Sequence, residues 1–289
     1  MKKFIKGLIL SLSVLLLAGC FKMDNMEGIN IYTTVYPIEY IAKYLYGENA
    51  TIQSIYPNGI DPYNYELTDK QINDYSKANL FVYNGLSNEK EIARTFVNKN
   101  KNINIIDVAY GLNIEYSTNS YEELWLSPNN FLMLATTFKN NLKDMIKSTY
   151  IKEDIDTKYA DLQKKVSIID AELRTIGSSA KDKNKNTLIV SSNVFKYLEN
   201  YGFKVISLED SNNYTNELKQ SFKNKTYQSI LIKDGETNDN INDLVKNYGA
   251  KTVSVNMLDV LSDEEVKNNE TYLSIMNNYL TQISDITLN

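Results

Sequence analysis

Apolar positions along this chain alternate between two periods. Short β-branched or aromatic runs give way to longer stretches in which apolar residues fall three and four apart. Ile29 to Tyr36 is such a run, after which Ile38, Ile41, Ala42 and Leu45 recur at helical spacing and Gly47 closes the segment, so the reading is strand, helix, turn. The unit repeats with a strand over 51–56, a loop through Pro62, and a helix opened by Thr68. Gln71, three residues beyond Thr68, completes a capping-box pattern. Leu80 to Tyr83 and Ile103 to Val108 supply two more strands. Strands alternating with helices predict a mostly parallel sheet covered on both faces.

Ser127-Pro128 reads as an N-cap followed by proline at the first helical position, opening a helix to about Lys147. Ile155, Tyr159, Leu162, Val166, Ile169, Leu173 and Ile176 then fall alternately four and three apart and end at Gly177. A helix over 152–176 would span about 37 Å, enough to bridge two domains. The same stripe fits a dimeric coiled coil, but its roughly three heptads favour packing across two lobes of one monomer. Gly177 to Asn186 is polar and rich in breakers, so it marks a boundary. Beyond it the alternation resumes: strands at 187–191, 204–208, 229–232 and 251–255, with helices at 193–201, 214–223, 239–248 and 264–283. The expected fold is therefore α/β, with two lobes, each a mostly parallel sheet flanked by helices, joined by one long rigid helix.

The first residues carry a different signal. A basic start (Lys2, Lys3, Lys6) precedes the apolar stretch Leu8 to Leu17, and Leu17-Ala18-Gly19-Cys20 ends it. This is a lipobox, in which the cysteine is lipidated on sulfur and becomes the first mature residue. The apolar run is short for a membrane-spanning anchor, which would also leave the small-small-Cys ending unexplained. The expected division is a signal peptide over 1–19 and a lipid-anchored tether over 20–28. An N-terminal lobe over 29–150, a connecting helix over 151–177 and a C-terminal lobe over 178–289 follow. The expected location is outside the cytoplasmic membrane, held to its outer face.

Composition narrows the chemistry. Losing Lys2, Lys3 and Lys6 with the signal takes the formal net charge from −5 to −8, which argues against nucleic acid and anionic lipid as partners. Cys20 is the only cysteine, so an internal disulfide is excluded and no thiolate remains for catalysis or metal binding. The chain holds no histidine at all. A Ser-His-Asp triad is therefore impossible, and neither a Gly-x-Ser-x-Gly elbow nor a Gly-rich phosphate loop is present. An enzyme is not expected.

Several segments then align with one known pattern. The loop Gly59-Ile60-Asp61-Pro62-Tyr63-Asn64-Tyr65-Glu66, the strand Leu80-Phe81-Val82-Tyr83 leading to Asn84-Gly85, and Trp125-Leu126-Ser127-Pro128 belong to it. So do Ser191-Ser192-Asn193-Val194-Phe195, Leu258-Asp259-Val260-Leu261 and Tyr272-Leu273-Ser274-Ile275-Met276. Together they resemble the zinc/manganese family of solute-binding lipoproteins that serve ABC importers, some of which were first described as adhesins. That resemblance implies capture of a divalent cation between the lobes and delivery to a membrane permease. It also implies four ligand positions. The family's loop reads Gly-x-Asp-Pro-His-x-Tyr-Glu, and Tyr63 stands where its histidine does. Glu123 stands at the second histidine, two residues before the tryptophan; Ser192 at the third ligand; and Asp259 at the fourth, where aspartate is retained.

Zinc sites favour nitrogen and sulfur donors, so a conventional zinc site is not expected here. The implied set of Tyr63, Glu123, Ser192 and Asp259, with Glu66 and Glu122 nearby in sequence, offers oxygen only. Oxygen donors suit manganese, magnesium or calcium, and a phenolate suits ferric iron; manganese is the favoured cargo. Each position has a plainer reading. Tyr63 fills the histidine's space and hydrogen-bonds across the cleft, Glu123 is a solvated loop carboxylate, Ser192 caps the helix after it, and Asp259 caps a segment or pairs with a lysine. The alternative function is a diverged paralogue that has lost metal binding and takes an organic solute or acts as a surface interaction or adhesion protein.

Overall fold

The computed structural model describes residues 24–115 and 121–288; the signal peptide and Cys20 lie outside them. The N-terminal lobe runs β1 (Ile29–Thr33), α1 (Tyr36–Tyr46), β2 (Ala50–Ser54), α2 (Asp69–Tyr75), β3 (Leu80–Tyr83), α3 (Glu89–Lys99) and β4 (Asn104–Asp107). Two helices, α4 (Glu123–Leu126) and α5 (Pro128–Met145), lead to the long α6 (Thr149–Asp182). The C-terminal lobe then runs β5 (Thr187–Val190), a 3-10 helix (Asn193–Tyr201), β6 (Lys204–Ser207), α7 (Asn216–Lys223), β7 (Ser229–Lys233) and α8 (Asp239–Tyr248). It ends with β8 (Lys251–Val255), α9 (Asp263–Lys267) and α10 (Tyr272–Leu288).

Each lobe holds one four-stranded sheet, in the orders β2-β1-β3-β4 and β6-β5-β7-β8. Every pairing is parallel, so the expectation of parallel sheets holds. The second sheet repeats the order of the first, and each reverses its direction of growth beside its first strand. Crevices open at the carboxyl ends of strands at such a reversal. Central β3 is buried at all four positions, as a strand covered on both faces must be.

The predicted capping box at Thr68 is present: its hydroxyl accepts from the Gln71 amide at 3.3 Å while Gln71 Oε1 accepts from the Thr68 amide at 2.9 Å. Helix α6 packs against α5 of the first lobe and α10 of the second, burying Ile155, Leu162, Val166, Ile169 and Leu173. One apolar cluster consequently runs through both lobes. The helix does not stop at Gly177. A Cβ there would lie 1.9 Å from the Tyr201 carbonyl oxygen, so this glycine permits close approach rather than termination.

The expected C-terminal helix is two. Asn269 adopts a left-handed φ of 55°, and Thr271 and Ser274 exchange hydrogen bonds at 2.8 and 3.1 Å to start α10 afresh. Residues 25–28, in the stretch read as a tether, form a turn against the lobe. Met26 is buried there, and its carbonyl accepts from the Tyr46 hydroxyl at 2.7 Å.

Candidate functional site

The loops after β2, β7 and β8 meet the segment entering α4 at the carboxyl ends of the two sheets. They enclose a cavity of about 560 Å³ whose polar lining includes Asp61, Tyr63, Glu122, Lys233, Asn256 and Asp259. This is where two facing α/β sheets are expected to hold a ligand.

Tyr63 is presented by a turn. Asp61 accepts from the Tyr63 amide at 2.9 Å and from the Asn64 side chain at 2.6 Å, an aspartate turn that fixes the ring's point of departure. Gly59, at φ 68°, donates its amide to the Leu261 carbonyl at 2.9 Å, so the loop is hydrogen-bonded to the opposite lobe. The ring stacks on Tyr121 with centroids 6.2 Å apart. Its hydroxyl donates to Asp259 Oδ1 at 3.2 Å. Desolvation in the cleft, then the carboxylates of Asp259 and Glu122, raise the phenol far above its ordinary range.

Asp259 follows a strained residue. Leu258 takes a left-handed φ of 64°, uncommon for a branched side chain. The conformation is over-determined by its neighbours. Asn256 Oδ1 accepts from the Leu258 amide at 2.7 Å, the Asp259 carbonyl accepts from the Tyr36 amide at 2.8 Å, and the Met257 carbonyl accepts from the Trp125 indole at 2.7 Å. Burial, then the charge of Glu122, pushes the Asp259 carboxyl well above the usual carboxylate range; the Lys233 ammonium and the Tyr63 hydrogen bond pull the other way.

The structure brings Glu122, not Glu123, to the cavity. Glu122 is 1% exposed. Its Oε1 pairs with Lys233 Nζ across the cleft, and its Oε2 has no hydrogen-bond partner among the described residues. Glu123 opens α4 and turns the other way, where its Oε1 accepts from the Glu115 amide at 2.6 Å. It lines a separate polar cavity of about 250 Å³ with Asn130 and Arg174. Consecutive residues entering a helix diverge by about 100°, so a one-residue offset decides which carboxylate faces the cleft.

Ser192 does not line the cleft either. Its hydroxyl donates to Glu209 Oε2 at 2.8 Å and accepts from the Val194 amide at 3.4 Å, which is the geometry of a helix cap. Glu66 is exposed and lines another pocket, of about 360 Å³. The spacing and resemblance thus reach Tyr63 and Asp259 but miss Lys233. The signal available for it was a lysine closing the apolar run Ile230-Leu231-Ile232, hence at a strand's carboxyl end.

Chemically, the cleft is acidic: Asp61, Glu122, Asp234, Asp259 and Glu265 line it with the Tyr63 phenol and the Lys233 ammonium, and Glu122, Asp259, Tyr63 and Lys233 interact with one another. It can attract a cation, and it holds no imidazole or thiolate to suit a conventional zinc site. Among the described residues no group of three or more Asp, Glu, His or Cys side chains is arranged to hold a metal ion.

Two parallel sheets facing one acidic cleft, joined by a long helix packed on both lobes, define a two-lobed α/β architecture with its cavity between the lobes. The chain belongs to the ZnuA family, described as zinc-uptake complex component A, periplasmic, with the match covering residues 31–286. The zinc-binding lipoprotein AdcA of Streptococcus pneumoniae is 26% identical over 99% of this chain, which spans 61% of that protein's length. The manganese-binding lipoprotein MntA of Halalkalibacterium halodurans is 24% identical over 74% of this chain and 73% of its own length. Among solved structures, the metal-dependent lipoprotein YcdH from Bacillus subtilis superposes with a TM-score of 0.75 at 22% identity. It covers 90% of this chain and 100% of that one, a likeness of fold. The resemblance and the two-lobed α/β fold read from the sequence are therefore both correct.

Proposed function

We propose that this chain is the solute-binding lipoprotein of a metal-cation ABC importer, anchored through Cys20 outside the cytoplasmic membrane and working as a monomer. It captures a divalent cation in the cleft and hands it to a permease, with no chemical step. Family membership supports the class of cargo. The observation that carries the site is the buried Glu122 Oε2 oxygen, which has no hydrogen-bond partner among the described residues and lines the same cavity as Asp259. A buried carboxylate oxygen with no donor is costly unless a cation or proton meets it.

In this proposal Glu122 and Asp259 are the charged ligands, Tyr63 orients Asp259 through its hydroxyl, Glu123 braces the loop at Glu115, and Ser192 remains a cap. An all-oxygen set lacks the nitrogen and sulfur donors of conventional zinc sites and suits a hard cation, so manganese is the favoured cargo. Calorimetric titration of the metal-stripped chain with manganese, zinc, calcium and magnesium tests this, repeated on Asp259→Ala and Glu122→Ala. Saturable manganese binding that is lost in both variants is expected. Binding that survives both substitutions, or none to any of the four ions, sinks the assignment.

A further inference from the structure

The cleft already contains a cation. Lys233 is the last residue of β7, and the buried strand positions Ile230 and Leu231 aim its stem out of the C-terminal lobe at the cavity. Its amide is held by Ser191 Oγ and Glu236 Oε2, each at 3.3 Å, so the point from which the side chain reaches is fixed. The ammonium meets Glu122 Oε1, which belongs to the other lobe and is almost wholly enclosed; the lysine side chain itself is 23% exposed and its partner 1%.

Pairs such as Lys43–Glu39 and Lys165–Asp161 join residues one helical turn apart, with the lysines 53% and 46% exposed. Such contacts contribute little. A pair whose carboxylate is desolvated is different in kind, because taking the partner away leaves an uncompensated buried charge. The same ammonium also acts on Asp259, which Glu122 repels. One positive charge therefore serves two carboxylates of the site.

We infer that Lys233 is a tethered competitor of the cargo: its ammonium occupies the cation position on Glu122 when the cleft is empty, and is displaced when a divalent ion is captured. This rests on the proposed reading of the cleft as a cation site and adds what sets its affinity and selectivity. Glu122, Asp259 and Lys233 sum to one negative charge when all are ionised. An entering ion has to outcompete a built-in ammonium for Glu122, leaving only Oε2 uncontested. A monovalent ion brings no more charge than the group it must displace, whereas a divalent ion brings twice as much. The lysine thus discriminates against sodium and potassium at the expense of absolute affinity. It also latches the lobes across the empty cleft.

The test compares the wild-type chain with Lys233→Met, which keeps the stem and removes the charge, and Lys233→Arg, which keeps the charge. Manganese(II) is the probe, with sodium as competitor, followed by calorimetry and thermal melting. Breaking a hydrogen bond to a charged partner costs roughly 1.5–3 kcal/mol, which converts to about ten- to hundredfold in affinity. Lys233→Met is expected to bind manganese tighter by that factor, to melt below wild type when metal-free, to recover on adding manganese, and to become sensitive to sodium. Lys233→Arg should stay weak. Equal or weaker manganese binding by Lys233→Met, with the wild type binding normally, overturns the competitor role and leaves the cation site standing. Absence of binding in all three proteins overturns both. Should Lys233→Met fail to fold, reductive methylation of the wild type decides the matter by mass spectrometry: Lys233 should react faster with manganese present, and an unchanged rate refutes displacement.

Discussion

Glu89 opens α3 with 4% of its surface exposed. Burial raises its carboxyl from 4.5 to about 7; the Asn84 amide, donating at 2.7 Å, pulls it back only in part, and Asp107 adds to the rise. A folded-state value above the unfolded one means that the native chain holds the proton more tightly. The resulting stability is fully present below about pH 4.5 and is lost as pH climbs through 7. A shift of this size corresponds to about 3 kcal/mol, of which roughly 2.5 kcal/mol disappears between pH 5 and pH 8. Glu89→Gln keeps an acceptor for Asn84 and stays neutral at every pH. Urea unfolding at pH 5 should separate the two proteins by less than about 1 kcal/mol, and at pH 8 the variant should be more stable by about 2–3 kcal/mol. Subtracting wild type from variant cancels the other carboxyls, including Asp259. A difference that does not grow between pH 5 and pH 8, or that favours wild type at pH 8, refutes the argument that desolvation dominates at this position.

Trp125→Phe removes the indole donor to Met257 O at 2.7 Å; leaving that buried carbonyl short should cost about 1–3 kcal/mol, read from the urea midpoint, and a loss under about 0.5 kcal/mol contradicts it. Gly177→Ala adds a methyl 1.9 Å from the Tyr201 carbonyl. The obstacle is backbone, so overpacking of about 1–3 kcal/mol should outweigh the helix-propensity gain of about 1 kcal/mol, and a higher melting temperature would show the helix can shift. Tyr63→Phe deletes the donor to Asp259 at 3.2 Å. Manganese affinity should fall about tenfold while stability changes little; an unchanged dissociation constant removes Tyr63 from the site.

The fold was legible because both periods are strongly written. The stripe from Ile155 to Leu173 and the apolar run at β3 mark which positions are buried, and the structure follows them, with the stripe packed within one chain. At other positions a local signal stands in for a tertiary one. Gly177 resembles a helix stop, but Tyr201, 24 positions on, explains it. Thr271 and Ser274 restart a helix through side-chain pairing that apolar periodicity does not register. The site shows the same limit. Tyr63 and Asp259 lie in loops whose residues match a family pattern, whereas Glu122 differs from Glu123 only in which way the backbone turns at α4. Lys233 faces Glu122 from 111 positions away. No local pattern encodes such a meeting; only the repeated strand order of the two sheets brings it about.

That repeated order also bears on how the cleft must work. Closure on a hinge needs lobes that separate cheaply, and the described residues pack the two lobes together with no such seam. Helix α6 contributes to both lobes, Tyr272 of α10 stacks on Phe131 of α5 with centroids 3.7 Å apart, and its hydroxyl donates to the Trp125 carbonyl at 2.7 Å. Wide opening would expose residues of the shared apolar cluster, at roughly 25 cal/mol for each Å² uncovered. Moving one ammonium off Glu122 requires no such exposure, since the lysine reaches the cleft from a strand end and is already partly solvated. Of the two routes to admitting an ion, exchange of charges at the cleft is the less costly. Cargo capture should therefore register as rearrangement of Lys233 and the Asn256–Asp259 loop, with the β-sheets and α6 left in place.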